Sequence, residues 1–329
     1  MSYFPLYPLQ LKPALHAKVW GGRRLQTVLG IALPSSEPFG EAWIMHDTAT
    51  VANGPLRGQT VAELLRAYGR DLLGSSGDPA YGMPLLAKFL DAREWLSIQV
   101  HPNDQQAAAL DGETRGKTEA WYVIASEPGS TLVFGVQPGH TAAELADAIA
   151  QNTVEAMLNT VEVVAGDVIF VTPGTIHALG PGILIYEIQQ SSDLTYRLYD
   201  YGRPRELHVE KGLTVSRLDS VPQVTHTAND MSNLVPIANS DYFETVMHQL
   251  RVGDYAYLDT RKTRFHIVSC IEGDAVLEWG GGSESRGDRL AVTTGDALDL
   301  KRGQTILIPA SVGAYRLRGQ ARILRSYQP

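Results

Sequence analysis

The stretch "GDVIFVTPGTIH" (residues 166–177) decides the fold. A glycine opens a β-branched run, Pro173 and Gly174 make a bend, and a histidine follows. That order reads as a strand, a tight turn and the start of the next strand. The pattern returns at residues 303–314, "GQTILIPASVGA", again with glycine, β-branched run and proline turn. Aligning Gly166 with Gly303 sets His177 opposite Ala314. The repeat predicts two similar β domains, of which only the first keeps a polar residue at this point.

The flanking sequence agrees. Short apolar or alternating runs such as "AWYVIA", "STLVFG", "ILIYEIQ", "FHIVSCIEG" and "ARILRSY" are separated by glycine, proline and polar clusters. Strands dominate and do not alternate with helices, which argues against a doubly wound or β/α-barrel fold and favours a sandwich or jelly roll. Helices are few: Thr60 with Glu63 and Thr141 with Glu144 have capping-box spacing, and a third short helix is expected after Asn103 or Asp104. The later half of residues 203–238 is polar and irregular, as in a crossover. A catalytic domain over 1–230 and a second domain over 231–329 are expected.

Composition bounds the function. A chain of 329 residues buries a substantial core without metal or disulfide support. Cys270 is the only cysteine, so an intrachain disulfide and a thiolate metal cluster are both excluded, which suits a reducing compartment. The start is interrupted by prolines, and no run approaches a membrane span. These features predict a soluble, cytoplasmic protein with no membrane partner. The net charge of −8, without long blocks of one sign, argues against a nucleic-acid partner. A phosphorylated small molecule remains compatible, because screening over about 10 Å leaves a few local cations in control.

In "LSIQVHP" (residues 96–102), Leu96, Ile98 and Val100 take one strand face and Ser97, Gln99 and His101 the other. The polar face could meet water, bond within the core, or hold a ligand. Glu119 in "GKTEAWYV" shares a face with Lys117, Trp121 and Val123, and His177 ends the Pro-Gly turn. Brought together in one β domain, two imidazoles, a carboxylate and an amide oxygen would form a four-donor set open to water or substrate. Each also has a plainer role: an edge histidine for His101, a solvated strand carboxylate for Glu119, a turn residue for His177. Arg197 could form a salt bridge with Asp193 or Asp200. His16, His140, His208, His226 and His248 stand in polar or isolated settings and are given no role. A metal site beside Lys117 and Arg197 would suit an oxyanionic, phosphorylated substrate.

Together, "LLAKFLDAREWLSIQVHPND", "GKTEAWYVI", "TPGTIHALG" and "EIQQSSDLTYRLYDYGR" resemble the signature blocks of the type I phosphomannose isomerases, metal-dependent cupin enzymes, in their short bacterial form. "FGEAWIMHD" and "VANGPLRGQTVAELL" are similar to that family's N-terminal region. Gly166, Gly174 and His177 match the cupin turn, although Thr172 holds its proline slot and Pro173 follows. Gln99-Val100-His101 replaces the general cupin His-x-His, as in the isomerases.

The resemblance implies a mainly β fold of two cupin-type jelly-roll β-barrels with a few short helices, the second barrel being metal-free. It implies one zinc ion per chain, held by Gln99, His101, Glu119 and His177. Arg197 falls at the family's active-site arginine, with Lys117 and Lys88 near a phosphorylated hexose. The implied reaction interconverts mannose 6-phosphate and fructose 6-phosphate through a cis-enediol. In it Arg197 stabilises the charge and Lys117 acts as proton shuttle or substrate contact. Lys117, a displaced Glu119, a zinc-bound hydroxide and His101 all stay open as the base. Competing classes are a non-haem iron cupin oxygenase, another sugar-phosphate isomerase, and a non-catalytic sugar-binding cupin.

Overall fold

Two strands in the middle of the chain, Leu85–Ala92 and Ile183–Gln190, are buried along their whole length. They pair with each other over eight residues in the computed structural model, which describes residues 4–329 apart from 76, 281–282, 287–288 and 293–294. Their near-continuous apolar sequence follows from cover on both faces. One face looks into a barrel and the other onto a second sheet.

The first barrel is closed by two antiparallel sheets. One has the order Val224–His226, Asp167–Val171, Glu119–Ser126, Ile183–Gln190, Leu85–Ala92, Ala14–Gly22, Phe39–Met45. The other has the order Tyr196–Tyr199, Ile98–Val100, His177–Leu179, Thr131–Val136, Leu158–Glu162. Trp121, Val123, Phe134, Leu179 and Ile185 fill the space between them. A third sheet, built mostly from strands after residue 233, encloses Val268, Leu277, Ile306, Leu317 and Ile323. The mainly β architecture of two jelly-roll barrels with few helices is therefore as expected.

The ends of the chain are interleaved. Leu9–Lys12 and Thr50–Val51 join the third sheet, with Leu9 opposite Leu307. A shared core holding Phe89, Tyr186, Ile267, Leu307 and Leu324 then lies between the barrels. Within it the Tyr186 hydroxyl meets Ser326 Oγ at 2.9 Å, and Ser326 meets Thr245 at 2.7 Å, so this buried polar contact is satisfied across the seam.

Capping explains where the helices begin. Thr60 with Glu63, and Thr141 with Glu144, form both bonds of the box. The third helix is Asp104–Asp111, capped reciprocally by Asn103 and Gln106. Such a cap contributes about 1 kcal/mol. Here it also fixes the chain directly after His101. The expected crossover contains a helix, Val209–Val215, and a strand, Val224–His226, that satisfies the edge of Asp167–Val171.

His248 is not in a polar or isolated setting. It is 2 % exposed inside the second barrel, and neither ring nitrogen has a hydrogen-bond partner. Burial, and then the Arg325 charge, push its pKa down from 6.5 to about 3. The unfolded chain therefore takes up a proton below about pH 6.5 that the folded imidazole refuses. The contribution is fully present above that pH and is lost as pH falls toward about 3, at about 1.4 kcal/mol per pH unit. Urea unfolding midpoints between pH 7.5 and 5 should fall more steeply for the parent protein than for His248→Leu. Equal slopes would contradict this account.

Candidate metal centre

The 166–177 stretch folds into a turn that explains its displaced proline. The Thr175 N–H donates to the Thr172 carbonyl at 3.1 Å, with Pro173 and Gly174 as the two central residues and Gly174 at φ +86°. This is a type II turn, in which proline sets the first central φ and glycine accepts the positive second one. The Gly174 N–H then donates to the His101 carbonyl at 2.9 Å, so the turn that delivers His177 is latched to the backbone of His101.

The two sheets divide the donors. The five-stranded sheet supplies Gln99 opposite His177, with His101 just beyond the end of Ile98–Val100. The seven-stranded sheet supplies Glu119 at the start of its strand, opposite Val171 and Gln189. Across the barrel, Glu119 Oε1 lies 3.3 Å from His177 Nε2, and Oε2 lies 3.9 Å from His101 Nε2. The donor atoms of these three residues lie within 4.8 Å of one another, all buried, and among the described residues they form the one such group.

Each imidazole is oriented from behind. His101 Nδ1–H donates to the Leu194 carbonyl at 2.8 Å, and His177 Nδ1–H to that of Thr175 at 2.9 Å. Both Nε2 lone pairs are left facing Glu119, the arrangement that holds histidine as a metal ligand. The Gln99 amide nitrogen lies 3.3 Å from His177 Nε2. A half-turn of the amide presents its oxygen there instead, the orientation a cation would select.

Electrostatics favours a cation. His101 Nε2 and Glu119 Oε1 are buried without a hydrogen bond, while Glu119 Oε2 meets the Lys117 ammonium at 2.9 Å. Burial pushes His177 down to about 4 and His101 well below its ordinary value, with Lys117 adding to both, so the imidazoles are neutral ligands. Burial raises Glu119 above the usual carboxylate range, against the pull of Lys117 2.9 Å away. For Lys117, burial is outweighed by Glu119 and Glu187, and the ammonium is raised and stays charged. A buried carboxylate paired with Lys117 and set between two neutral imidazoles offers the nitrogen/oxygen donor set of an open divalent site.

Lys88 does not touch the donor set. It pairs with Glu187 at 3.2 Å, and Glu187 accepts from Trp121 Nε1 at 2.9 Å. The Trp121 ring meets that of His177 edge-on at 5.5 Å. Lys88 also lies 5.1 Å above the Trp43 ring, which is flanked by His16 and His46. Arg197 is the sheet neighbour of Gln99 but forms no salt bridge with Asp193 or Asp200. Asp200 is taken by Arg203 and Arg205, whereas Arg197 donates to the Glu206 carbonyl at 2.9 Å and keeps a buried Nε without a partner. Glu187 and Trp43 escaped the sequence reading. A carboxylate on the Ile183–Ile185 face of "ILIYEIQQ" was the available signal for the first; His16 and Trp43 are brought together only by the pairing of Ala14–Gly22 with Phe39–Met45.

Chelator-treated protein should take up one divalent cation per chain and unfold at a higher temperature when loaded. His177→Ala should do neither, as read by metal analysis and thermal unfolding. Stoichiometric uptake by that variant would exclude His177 as a ligand.

The family model of the phosphomannose isomerase type I catalytic domain matches residues 9–122. The chain is 32 % identical to the mannose-6-phosphate isomerase of Streptococcus mutans, over 97 % of this chain and 98 % of that one. It is 34 % identical to the mannose-6-phosphate isomerase ManA of Bacillus subtilis over the same shares. The crystal structure of the mannose 6-phosphate isomerase from Bacillus subtilis superposes with a TM-score of 0.82 at 30 % identity, covering 97 % of this chain and 99 % of that chain.

Proposed function

This chain belongs to the type I phosphomannose isomerases and is an isomerase, and from that premise we propose that it interconverts mannose 6-phosphate and fructose 6-phosphate at a zinc ion through a cis-enediol. The observation that carries the zinc reading is the buried convergence of His101 Nε2, which has no hydrogen bond, on the Glu119 oxygens, faced by His177 and Gln99. The bound ion would supply Lewis-acid stabilisation of negative charge on the sugar oxygens.

The chain's own residues do the rest in this proposal. Lys117 remains an ammonium, which suits it to hold an anionic oxygen and not to accept a proton in the resting site. Lys88, positioned by Glu187, is a second cation for the phosphorylated substrate. Arg197 enters beside Gln99 and has the uncommitted Nε; its fixed charge would stabilise the enediolate. The proposed catalytic unit comprises 1–230 and the second, metal-free unit 231–329, with the strands at 9–12 and 50–51 lent to the latter's sheet. A cytoplasmic setting belongs to the same reading and is supported by the one buried, free thiol at Cys270. Among the described residues no helix is long and apolar enough to cross a membrane.

A coupled assay for fructose 6-phosphate formed from mannose 6-phosphate should show activity that is lost on chelation and restored by zinc. Activity indifferent to chelation would remove the metal from the mechanism. Arg197→Ala should lower kcat by about 10²–10³, the scale of losing one fixed charge-stabilising donor, with unchanged thermal unfolding. An unchanged kcat would remove Arg197 from the chemistry.

A further inference from the structure

The second barrel also has a polar cluster, and strand pairing shows where it stands. In the first barrel Val171 pairs with Glu119; in the second, Ile308 pairs with His266. Aligning Gly166 with Gly303 places Val171 opposite Ile308, so His266 takes the position that Glu119 has in the metal centre. His177 is replaced by Ala314, but the next residue, Tyr315, brings its hydroxyl 2.7 Å from His266 Nδ1. Arg325 pairs across the sheet with both Val246 and Val268. His248, His266 and Tyr327 each stand two residues from a member of that row. They therefore share its face, which is the barrel interior where Val268, Ile306 and Leu317 pack.

Carboxylates reach the two tyrosines of this cluster, Glu244 acting on Tyr327 and Asp259 on Tyr315, but neither forms an ion pair with its arginines. The Arg325 and Arg264 guanidinium groups lie 4.8 and 5.1 Å from the Tyr327 ring. Arg316, Arg318 and Arg322, on the same strand as Arg325, are each paired with a glutamate. Among the described residues Arg264 and Arg325 have no such partner, and Arg325 Nε is buried without a hydrogen bond. Glu244 bonds the Tyr327 hydroxyl and pairs with neither arginine. The permanent charges acting on His266 are the guanidinium groups of Arg325 and Arg264, with the uncharged His248 imidazole beside them. His248 itself is 2 % exposed, and whichever ring nitrogen carries its proton has no acceptor. Arg264 and Arg325 are only half-buried, which leaves a route from solvent.

We propose that the second barrel binds a small oxyanion, phosphate or a phosphoryl group, between Arg325, Arg264 and His248, at the place corresponding to the metal centre of the first. Two guanidinium groups supply charge-assisted donors, and the buried imidazole supplies a neutral one. The cluster offers a cation no ligand set, because its charges would repel one. The site does not depend on the zinc reading.

The test is thermal unfolding of the full-length, metal-loaded protein titrated with inorganic phosphate against chloride at equal ionic strength. A saturable rise in unfolding temperature is expected in the parent and in Lys88→Met, where only the first barrel is altered. In Arg325→Gln the phosphate concentration for half the effect should rise about tenfold, as for loss of one charge-assisted contact. Arg264→Gln, at a half-buried position, gives the same reading should Arg325→Gln fail to fold. Absence of a saturable shift in the parent, or unchanged phosphate dependence in the folded variants, overturns the proposal. Fructose 6-phosphate distinguishes the source: an effect weakened by the second-barrel variants means the group is bound on a hexose, and one left intact means free phosphate.

Discussion

A fully buried carboxylate is costly, and Glu119 is the residue around which the first barrel is organised. Its neighbours answer that cost incompletely. Lys117 supplies one charge at 2.9 Å, while two imidazoles held neutral by burial point their free nitrogens at the same space. Much of the surrounding structure keeps these groups in place. Backbone carbonyls fix each histidine tautomer, and the Thr172–Thr175 turn is bonded to the backbone of His101.

The same constraint shapes the layer outside the donors. Lys88 and Lys117 bring two positive charges into a buried space, and Glu187 and Glu119 offset them. A divalent ion added to that balance would leave the site positive, which suits a phosphorylated sugar. Trp121 couples the two halves, donating to Glu187 while its ring packs against His177. Changes at Glu187 are thus expected to act through Lys88 and Trp121.

The two barrels share a strand plan but differ in charge. Glu119 in one corresponds to His266 in the other, and His177 to Ala314. Exchanging an acid for an imidazole, beside an Arg264 and an Arg325 with no carboxylate partner among the described residues, turns a set of acceptors for a cation into a set of donors for an anion in the proposed site. A duplicated scaffold can carry opposite binding chemistry in this way, because side chains at the barrel interior change without disturbing the ladder that positions them.

Much of the local structure could be read along the chain. The Thr60, Asn103 and Thr141 caps, the turn at Pro173–Gly174 and the alternation through Gln99 and His101 depend on neighbours a few residues away, where spacing and residue type suffice. The resemblance in the signature blocks went further and brought Glu119 and His177 into one expected set. Other features depended on strands distant in sequence. The fold set Arg197 free of Asp200, joined Lys88 to Glu187, placed Trp43 between His16 and His46, and buried His248 beside Arg325. Periodicity names the face on which a side chain stands, but only sheet order and register choose what that face meets.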